Sequence, residues 1–562
     1  MALLAGRPLV AWSHATLQAF CQSLEGTSCR VFLSTDDPEI AEAWPTADRP
    51  QRLRPAELAT DIASSLDVVL HEIAASRDEG FEPDTVLLLQ PTSPLVTVDD
   101  LQSAWKAFKG GETPSVIGMT ETDHPVQWTW AMDEFGTLLG KHDEQDGDQR
   151  QKLQPRHRPV GFYFVTTEFL MRERAFILPG ITRGTRVPAS HGIDIDSAQD
   201  LVVAKATLIA SSPPPVVVGE RKIGNREACF IIAEAGVNHN GDLNRALEMV
   251  EAAAEAGADA IKFQTFKSEA LVTSHARKAK YQVTNTGGDG GQLEMLKKLE
   301  LLRDELLVIK ASCQKHGIIF LSSPFELESA LLLKDIGVPA FKVGSGEITN
   351  LSFLESLAGY GIPLILSTGM CHLDEVEAAV AAVQAHGNPP LALLHCTSAY
   401  PAPPHTCNLR AMESLSMVFG VTVGYSDHTT GWDICLAAVA MGATIIEKHF
   451  TMDRTLPGPD HAASLEPGEL KKMIQEIRRI ESALGSGVKA PTPEELDTRL
   501  AARKSLAIAR DLQAGCIILD EHLVAKRPGT GIPPSERHRL VGRTLNKSLV
   551  EDTLISWSDM DE

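Results

Sequence analysis

Between residues 228 and 484, charged and polar side chains recur at the ends of short apolar runs. They are Glu234, Lys262 with Gln264, Ser323, Lys342 with Glu347, Ser367, Tyr400, His428, and Glu447 with His449. A lone buried Lys or Glu is costly, so several of them at equivalent places predict a reactive site. Taken one at a time, Glu347 could instead cap a loop, and His449 could be a satisfied core histidine.

Two kinds of chemistry are available in this set. His428 and His449 predict a site for one divalent first-row ion such as Mn²⁺, with water completing its shell and a carbonyl as its target. Lys262 and Lys342, with the hydroxyls of Ser345 and Ser367, can hold a phosphate and a carboxylate. A cationic cradle beside a metal predicts the condensation of an anionic donor with an aldehyde.

The elements that would position these residues are eight apolar runs alternating with stretches of helical pattern. The runs are Ala228–Ala233, Ala260–Phe263, Ile318–Leu321, Ala340–Val343, Leu364–Leu366, Leu391–Leu394, Val421–Tyr425 and Thr444–Ile446. Continuous runs suit parallel strands buried on both faces, and eight strand–helix repeats predict a (β/α)8 barrel. Barrel enzymes carry their chemistry at the carboxyl ends of the strands, where these polar residues fall.

One connection is longer than the others. Residues 268–300 contain a glycine cluster at 287–291 and could form either a lid over the carboxyl face or a plain surface insertion.

Length and composition limit the remaining possibilities. The chain of 562 residues predicts several domains, and its net charge of −22 disfavours nonspecific binding to nucleic acid or anionic membranes. We find neither a signal-peptide layout nor a run near the roughly 20 apolar residues of a membrane span, so a cytoplasmic location is predicted. Nine cysteines without a CxxC pair predict no disulfide or zinc framework.

Breaks in the pattern predict an α/β multidomain protein. Prolines at 213–215 separate an N-terminal three-layer α/β domain, 1–210, from the barrel, 225–487, through a linker at 211–224. The N-terminal domain is predicted from strand-like runs at Val31–Leu33, Val86–Leu89 and Phe162–Val165 and a helical pattern at Ile62–Ile73. A small β-rich domain at 500–562 is predicted from the runs Leu506–Ala509 and Cys516–Leu519.

Ordered motifs from about residue 228 to the end resemble the sialic acid synthases, which are phosphoenolpyruvate-dependent condensing enzymes. The matching strings include IIAEAGVNHNGD (231–242), AIKFQTF (260–266), FKVGSGEITN (341–350), CTSAYP (396–401), VGYSDHT (423–429), IEKHFT (446–451) and GPDHAASLEPGEL (458–470). The string ARKSLAIARDLQAGCIILDEHLVAKRPGTGIPP (502–534) resembles their antifreeze-like (SAF) domain.

The resemblance implies roles for individual residues. Phosphoenolpyruvate would meet Lys262, Gln264, Ser323, Lys342, Ser345 and Ser367; the amino sugar would meet Glu234, Tyr400, Asp460 and Arg527. His428 and His449 would hold Mn²⁺ or Mg²⁺, with Glu347 and Glu447 either in acid/base positions or in positions that support the metal ligands. Ser398 stands where many bacterial relatives have asparagine, which leaves its contact with the donor open. The resemblance also implies a domain-swapped homodimer in which Arg527 completes the partner's pocket.

The implied reaction joins phosphoenolpyruvate to an open-chain N-acetylmannosamine-type aldose and releases phosphate by C–O cleavage. The acceptor could be N-acetylmannosamine, its 6-phosphate, mannose or a diamino relative. The alternatives are a barrel that only binds a sugar and a pyruvate aldolase with a Schiff-base lysine.

The N-terminal region resembles the cytidylyltransferases that activate sialic acids. GRPLVAWSHATL (6–17), LSTDDPEIAE (33–42), LLLQPTSPL (87–95) and HGIDIDSAQDL (191–201) fit in order, and Asp194 and Asp196 match a magnesium-binding pair on a short strand. The family's glycine- and lysine-rich nucleotide loop has no counterpart here, and Val96 and Val160 replace an arginine and an asparagine. Two explanations stay open: a degenerate domain without transferase activity, or a bifunctional enzyme whose true start codon lies upstream of this sequence.

We predict little or no CTP-dependent transfer by residues 1–210, because Asp194 and Asp196 cannot replace the missing donors to the departing pyrophosphate. Pyrophosphate release is measured with CTP, magnesium and a sialic acid, on this chain and on any form extended upstream. Robust turnover by the 562-residue chain would refute degeneracy, whereas turnover by the extended form alone would indicate truncation.

Overall fold

The computed structural model describes most of the chain. The described residues are 2–24, 26–44, 53–60, 63–109, 111, 113–122, 130–132, 138–141, 155–210, 213–225, 227–286, 290–485 and 489–561. Tertiary contacts divide it into two compact units, Met1–Glu481 and Ser482–Glu562. Within the described residues no helix is both long and apolar enough to cross a membrane.

The N-terminal region centres on a mixed four-stranded sheet with strand order β3-β7-β4-β8. Its strands are β1 (Leu3–Leu4), β2 (Arg7–Pro8), β3 (Thr85–Leu89), β4 (Ser115–Glu121), β5 (Trp130–Met132), β6 (Leu138–Lys141), β7 (His157–Thr166) and β8 (Arg183–Arg186). Its helices are α1 (Leu9–Gln22), α2 (Pro38–Ala43), α3 (Ser65–Asp78), α4 (Val98–Lys109), α5 (Thr167–Glu173) and α6 (Ala198–Ala210). Helices α1 and α4 share one apolar cluster with the sheet, and α3 and α5 share another.

Three expectations for this region were wrong. Val31–Leu33 is not a strand but coil, and Asp194 and Asp196 lie in a loop because the segment pairs with no strand. A disulfide joins Cys21 to Cys29, since the turn after α1 brings their Cα atoms to 6.0 Å. Of the predicted helix Ile62–Ile73, Ile62 lies outside the described residues and the helix begins at Ser65.

An ion pair fastens this region to the barrel. The guanidinium of Arg7 donates to both carboxylate oxygens of Glu377 at 2.7 and 2.8 Å, and the Arg7 side chain is buried. Both bonds come from one guanidinium nitrogen, Nη2.

The closed barrel confirms the predicted eight-stranded architecture, and its strands neighbour one another in sequence order. They are β11 (Phe230–Gly236), β12 (Ala260–Thr265), β13 (Ile319–Pro324), β14 (Phe341–Val343), β15 (Leu364–Ser367), β16 (Leu391–Cys396), β17 (Thr422–Asp427) and β18 (Ile445–His449). A short hairpin, β9 (Val216–Val218) and β10 (Arg221–Ile223), precedes them and buries Val216, Val218 and Ile223 against the inward apolar side chains.

The helices of the barrel region are α7 (Leu243–Ala256), α8 (Ser268–Leu271), α9 (Lys280–Thr286), α10 (Gln292–Lys297), α11 (Arg303–His316), α12 (Leu327–Asp335), α13 (Leu351–Ala358), α14 (Leu373–Ala385), α15 (Ala411–Phe419), α16 (Asp433–Ala440) and α17 (Pro467–Leu484). Helices α7 and α11–α17 form the outer layer and pack their apolar faces on the strands, whereas α8, α9 and α10 belong to the long connection after β12. Helix α7 illustrates the local rules: the Asp242 side chain caps its first turn, and Gly257, at φ 89°, ends it in the left-handed region.

The second unit contains α18 (Glu495–Ala502), β19 (Ser505–Ile508), β20 (Leu523–Lys526) and α19 (Arg537–Leu540) around an apolar core of its own. Strands β19 and β20 pair antiparallel. Further single antiparallel bridges join Ala507 to Leu554, Leu512 to Leu549, Ile517 to Thr544 and Leu545 to Met560. The predicted strand Cys516–Leu519 is reduced to the bridge at Ile517. The β-rich character predicted for this part of the chain is confirmed.

Candidate active site

A cavity of about 530 Å³ opens at the carboxyl ends of the barrel strands, and every strand contributes a residue to it. Thirteen of the predicted site residues line the cavity: Glu234, Lys262, Gln264, Ser323, Lys342, Ser345, Ser367, Ser398, Tyr400, His428, Glu447, His449 and Asp460. Parallel strands in register place equivalent positions at one edge, which is why residues more than 200 positions apart converge.

Four charged side chains form a buried network at the floor of this cavity. The Lys262 ammonium lies 2.7 Å from Glu234 Oε2 and 3.2 Å from Glu447 Oε1, and Lys342 Nζ lies 3.0 Å from Glu447 Oε2. All four side chains are at most 5% exposed, so each charge depends on the others. Lys262 also donates to Ser323 Oγ at 3.2 Å.

The network shifts the pKa values of the two carboxyl groups, Glu234 and Glu447, in opposite directions. Burial raises the pKa of Glu234 to about 7, because desolvation outweighs the attraction of Lys262 and the Glu447 carboxylate adds repulsion. Burial would also raise the pKa of Glu447, but the two lysines outweigh it and hold that pKa well below the usual range. One carboxyl group can therefore carry a proton near neutral pH while the other stays ionised.

The pKa values of the two lysines are also shifted in opposite directions. Burial opposes the charge on Lys262, yet the carboxylates of Glu234 and Glu447 more than compensate and raise its pKa. Lys342 has fewer carboxylate contacts, so burial prevails and its pKa is lowered. Both ammonium groups point into the cavity and can meet an anionic ligand there.

Small polar side chains complete the wall beside Lys342. Ser345 Oγ accepts from the Gly369 amide at 2.9 Å and lies 3.2 Å from Cys396 Sγ. A Cβ on Gly369 would come within 2.9 Å of both Ser345 Oγ and Cys396 Sγ, so only glycine fits this close approach. Among the described residues, none hydrogen-bonds the buried Ser367 Oγ, which remains available to a ligand oxygen.

His428 and His449 face each other with ring centroids 5.4 Å apart, and Tyr400 lies 4.4 Å from the first ring and 5.9 Å from the second. His428 Nδ1 lies 2.8 Å from the Thr397 carbonyl oxygen. That bond requires Nδ1 to carry the proton, which leaves Nε2 with a free lone pair. Burial lowers the pKa of both imidazoles, and the neighbouring His428 lowers that of His449 further, so both rings are neutral.

This donor pair fits a first-row divalent ion. Metal-binding histidines are neutral, and the second ring nitrogen is commonly tied to a carbonyl oxygen, as in His428. The buried Nδ1 of His449 has no hydrogen-bond partner in the described part of the chain. Within that part, no third His, Cys, Asp or Glu joins the two rings in a ligand group. Water and substrate oxygens would have to supply the other positions, as the sequence analysis predicted.

The long connection after β12 lies over the cavity and supplies residues that the sequence analysis missed. Ala279 and Gln282 line the opening, and Met295, Leu296 and Leu299 form an apolar wall with Val237 and Phe325. The sequence analysis names this segment as a possible lid. It does not predict the individual contacts, because the apolar residues of α8, α9 and α10 do not recur at one helical spacing. Residues 287–289 of its glycine cluster lie outside the described residues.

Asp460 faces this wall from a loop after β18. Asn238 Nδ2 donates to the Ser464 hydroxyl at 3.0 Å, and that hydroxyl donates to the Asp460 carbonyl oxygen at 2.7 Å, which ties the loop to the end of β11. Burial raises the pKa of Asp460 to about 6, with Lys262 opposing the shift. The cavity therefore has a lysine-rich floor and a mouth with carboxyl and apolar groups.

Two predicted residues are not part of this lining. Glu347 does not reach the cavity: it sits in a short 3₁₀ turn and accepts from Asn350 Nδ2 at 2.9 Å, because the turn carries its side chain to the rim. The residue lies outside the described lining of the cavity, and its acid/base role stays a prediction. Arg527 is an exposed residue of the second unit, at the end of β20.

Comparison with known proteins gives consistent findings. The profile of the NeuB family matches residues 249–489, and that of the SAF domain matches residues 503–560. The chain is 48% identical over 347 residues to the N,N'-diacetyllegionaminic acid synthase of Legionella pneumophila, covering 61% of this chain and 98% of that protein. It is 36% identical to the N-acetylneuraminate-9-phosphate synthase of Mus musculus, covering 60% of this chain and 93% of that protein.

Among solved structures, the chain is similar to the N-acetylneuraminic acid synthetase of Leptospira borgpetersenii serovar Hardjo-bovis, in complex with citrate. The two are 40% identical, with a TM-score of 0.46, over 51% of this chain and 95% of that chain.

Proposed function

Because the chain belongs to the NeuB family, we propose that its barrel condenses phosphoenolpyruvate with an N-acetylmannosamine-type sugar to a nonulosonic acid and phosphate. The observation that carries the proposal is the buried pair Lys262 and Lys342 beside the neutral pair His428 and His449. The lysines, with Ser345 and Ser367, suit a phosphate and a carboxylate on one small molecule.

The reaction assigns separate tasks to the two carboxyl groups. C3 of phosphoenolpyruvate forms a bond to the aldehyde carbon of the open-chain sugar, and we assign the proton taken up by the aldehyde oxygen to Glu234. Water adds at C2, where the ionised Glu447 carboxylate can orient it by accepting a hydrogen bond, and a phosphate oxygen takes up one of its two protons. The C2–O bond then breaks and phosphate leaves with the bonding electrons, while the C2 hydroxyl passes its proton to the Glu234 carboxylate left by the first step, so that C2 becomes a ketone.

We propose that His428 and His449 hold a divalent cation, Mn²⁺ or Mg²⁺. When bound, the cation supplies Lewis acidity toward the aldehyde oxygen of the sugar. Tyr400 packs on both rings and restricts where they can move.

The second unit and the N-terminal region complete the proposal. We propose a homodimer in which Arg527, within the matched SAF domain, completes the sugar pocket of the partner subunit; the resemblance to synthases with this domain supports it. We propose a cytidylyltransferase-like origin for residues 1–210, without transferase activity. Asp196 is exposed, and among the described residues the Asp194 carboxylate accepts one long hydrogen bond, from Ser93 Oγ at 3.4 Å.

The acceptor is proposed to be an unphosphorylated sugar with more than one acylamino group. In the described lining, Lys262 and Lys342 are the only Lys or Arg residues, and both are occupied at the floor by carboxylates. The mouth offers the apolar wall of Met295, Leu296 and Leu299 instead, which suits acyl methyl groups. The relative from Legionella pneumophila is named as a synthase of a diacetylated acid.

The bond that breaks provides the first test. In ¹⁸O-water, with phosphoenolpyruvate, a divalent cation and the sugar, we expect the released phosphate to contain no solvent oxygen, because C–O cleavage keeps the bridging oxygen on phosphorus. Mass analysis of the phosphate measures this. Label in the phosphate would refute the mechanism. Borohydride trapping with pyruvate is the control for the Schiff-base aldolase, and we expect no adduct.

Acceptor choice provides the second test. Product mass spectrometry with N-acetylmannosamine, its 6-phosphate, mannose and a diacetylated 2,4-diamino sugar should show the highest kcat/KM for the diacetylated sugar and the lowest for the phosphate. In a Leu299→Ala variant, the ratio of kcat/KM for the diacetylated sugar to kcat/KM for N-acetylmannosamine should fall by roughly three- to tenfold. The reason is that each lost apolar contact is worth about 1 kcal/mol. Preference for the 6-phosphate would contradict the proposed acceptor.

A further inference from the structure

A second buried ion pair lies behind the two histidines, on the face of the sheet opposite the cavity. Lys448 Nζ is 2.6 Å from Asp427 Oδ2 and 2.6 Å from the Thr429 carbonyl oxygen, and both charged side chains are 0% exposed. Glu447 and His449 line the cavity, so strand alternation directs the intervening Lys448 outward. There it lies beneath α16, whose Cys435 Sγ donates to Asp427 Oδ2 at 3.2 Å.

The pair is fully satisfied. The Asp427 carboxylate accepts from Lys448, from the Thr429 amide and hydroxyl at 3.0 Å each, and from the Cys435 thiol. A buried ion pair of this kind is seldom more stabilising than apolar side chains of the same volume. Its surroundings are the apolar outer core of the barrel, where residues such as Ile446 would serve stability equally well. Stability alone therefore does not account for the pair.

The position of the pair along the two strands suggests its effect. Asp427 and Lys448 are register partners on β17 and β18, and the next residues on these two strands are His428 and His449. Lys448 holds Asp427 through the ion pair and Thr429 through its carbonyl oxygen, so it anchors the backbone on both sides of His428. On the cavity side, His428 Nδ1 is hydrogen-bonded to the Thr397 carbonyl oxygen, whereas His449 Nδ1 has no hydrogen-bond partner among the described residues.

A neighbouring glycine brings the same two strands together. A Cβ on Gly424 would lie 2.5 Å from the Ile445 carbonyl oxygen and 2.6 Å from Ile445 Cβ, so β17 and β18 approach too closely for any side chain there. Close approach sets the distance between the strands, and a directional bond at their ends is still needed to set the orientation of the histidines. Lys448 provides that bond.

We propose that Asp427 and Lys448 are a positioning pair that sets the separation and orientation of His428 and His449 from behind the sheet. The proposal rests on the proposed function, in which these histidines hold a divalent cation. The pair touches neither substrate nor cation. Outer contacts of this kind typically change metal affinity without changing the ligands themselves.

The experiment compares Mn²⁺ binding to the full chain and to the double variant Asp427→Leu/Lys448→Met, by titration calorimetry and by the Mn²⁺ electron paramagnetic resonance signal. The variant replaces both charges with apolar groups, so it should keep its fold and thermal midpoint. We expect Mn²⁺ affinity to fall by roughly 10- to 100-fold. Phosphoenolpyruvate affinity, measured separately without metal, should not change, because Lys262 and Lys342 lie on the other face of the sheet.

Ile446→Val is the matched control, since it trims a buried side chain on the same face of β18 without touching the pair. It should bind Mn²⁺ as the parent does. Parental Mn²⁺ affinity in the double variant would overturn the positioning proposal, and so would an equal loss of phosphoenolpyruvate affinity, which would indicate general loosening. If that double variant does not fold, Asp427→Asn/Lys448→Met keeps the shape at 427 and leaves no unpaired buried charge, and the same two results decide.

His428→Ala separates this proposal from the proposed function. Loss of Mn²⁺ binding in His428→Ala, together with parental binding in the double variant, would refute the positioning pair alone. Equal Mn²⁺ binding by the parent and His428→Ala would refute the histidine site, and the positioning pair with it.

Discussion

The site depends on the mutual neutralisation of four buried charges, those of Glu234, Lys262, Glu447 and Lys342. Each group alone would cost several kcal/mol to remove from water, and each is stable here because an opposite charge lies within about 3 Å. The carboxylates of the network favour the charged form of both buried lysines against the effect of burial. The network also means that an anionic ligand enters a site whose positive charge is already balanced, so its arrival must change the ionisation of the group that titrates most readily.

The barrel makes this arrangement possible because its inward and outward positions, and its two ends, carry different kinds of side chain. Inward positions at the carboxyl end carry charge, whereas inward positions below them are apolar and are closed by the hairpin at 216–223. Outward positions pack beneath the helices, and of the two outward residues in the middle of β18, Ile446 is apolar and Lys448 is charged. A charge on each side of one strand is costly, and we attribute the outer charge to the orientation of the histidines.

Much of this could be predicted from the sequence, and the failures have physical reasons. The barrel strands were predictable because strands buried on both faces leave uninterrupted apolar runs, and their ends placed Lys262, His428 and Glu447 correctly. The place of Glu347 outside the described lining could not be predicted, because it follows its strand by several residues and a turn rather than the strand decides where it points. The strand predicted at Val31–Leu33 is wrong because these three apolar residues form no backbone hydrogen-bond ladder with a neighbouring strand among the described residues. The outward ion pair was missed since sequence alternation alone cannot show which polar residue faces a helix.

The most direct test of the account is proton uptake when phosphoenolpyruvate binds in the absence of sugar. With the pKa of Glu234 raised to about 7, this carboxyl is mostly ionised at about pH 7.5, and a bound trianion should raise its pKa further. Calorimetric titration in buffers of different ionisation enthalpy should therefore show uptake of a large fraction of one proton per phosphoenolpyruvate bound. Glu234→Gln should bind the ligand without this uptake. Binding to the parent chain with no dependence on buffer, or with proton release, would contradict the account.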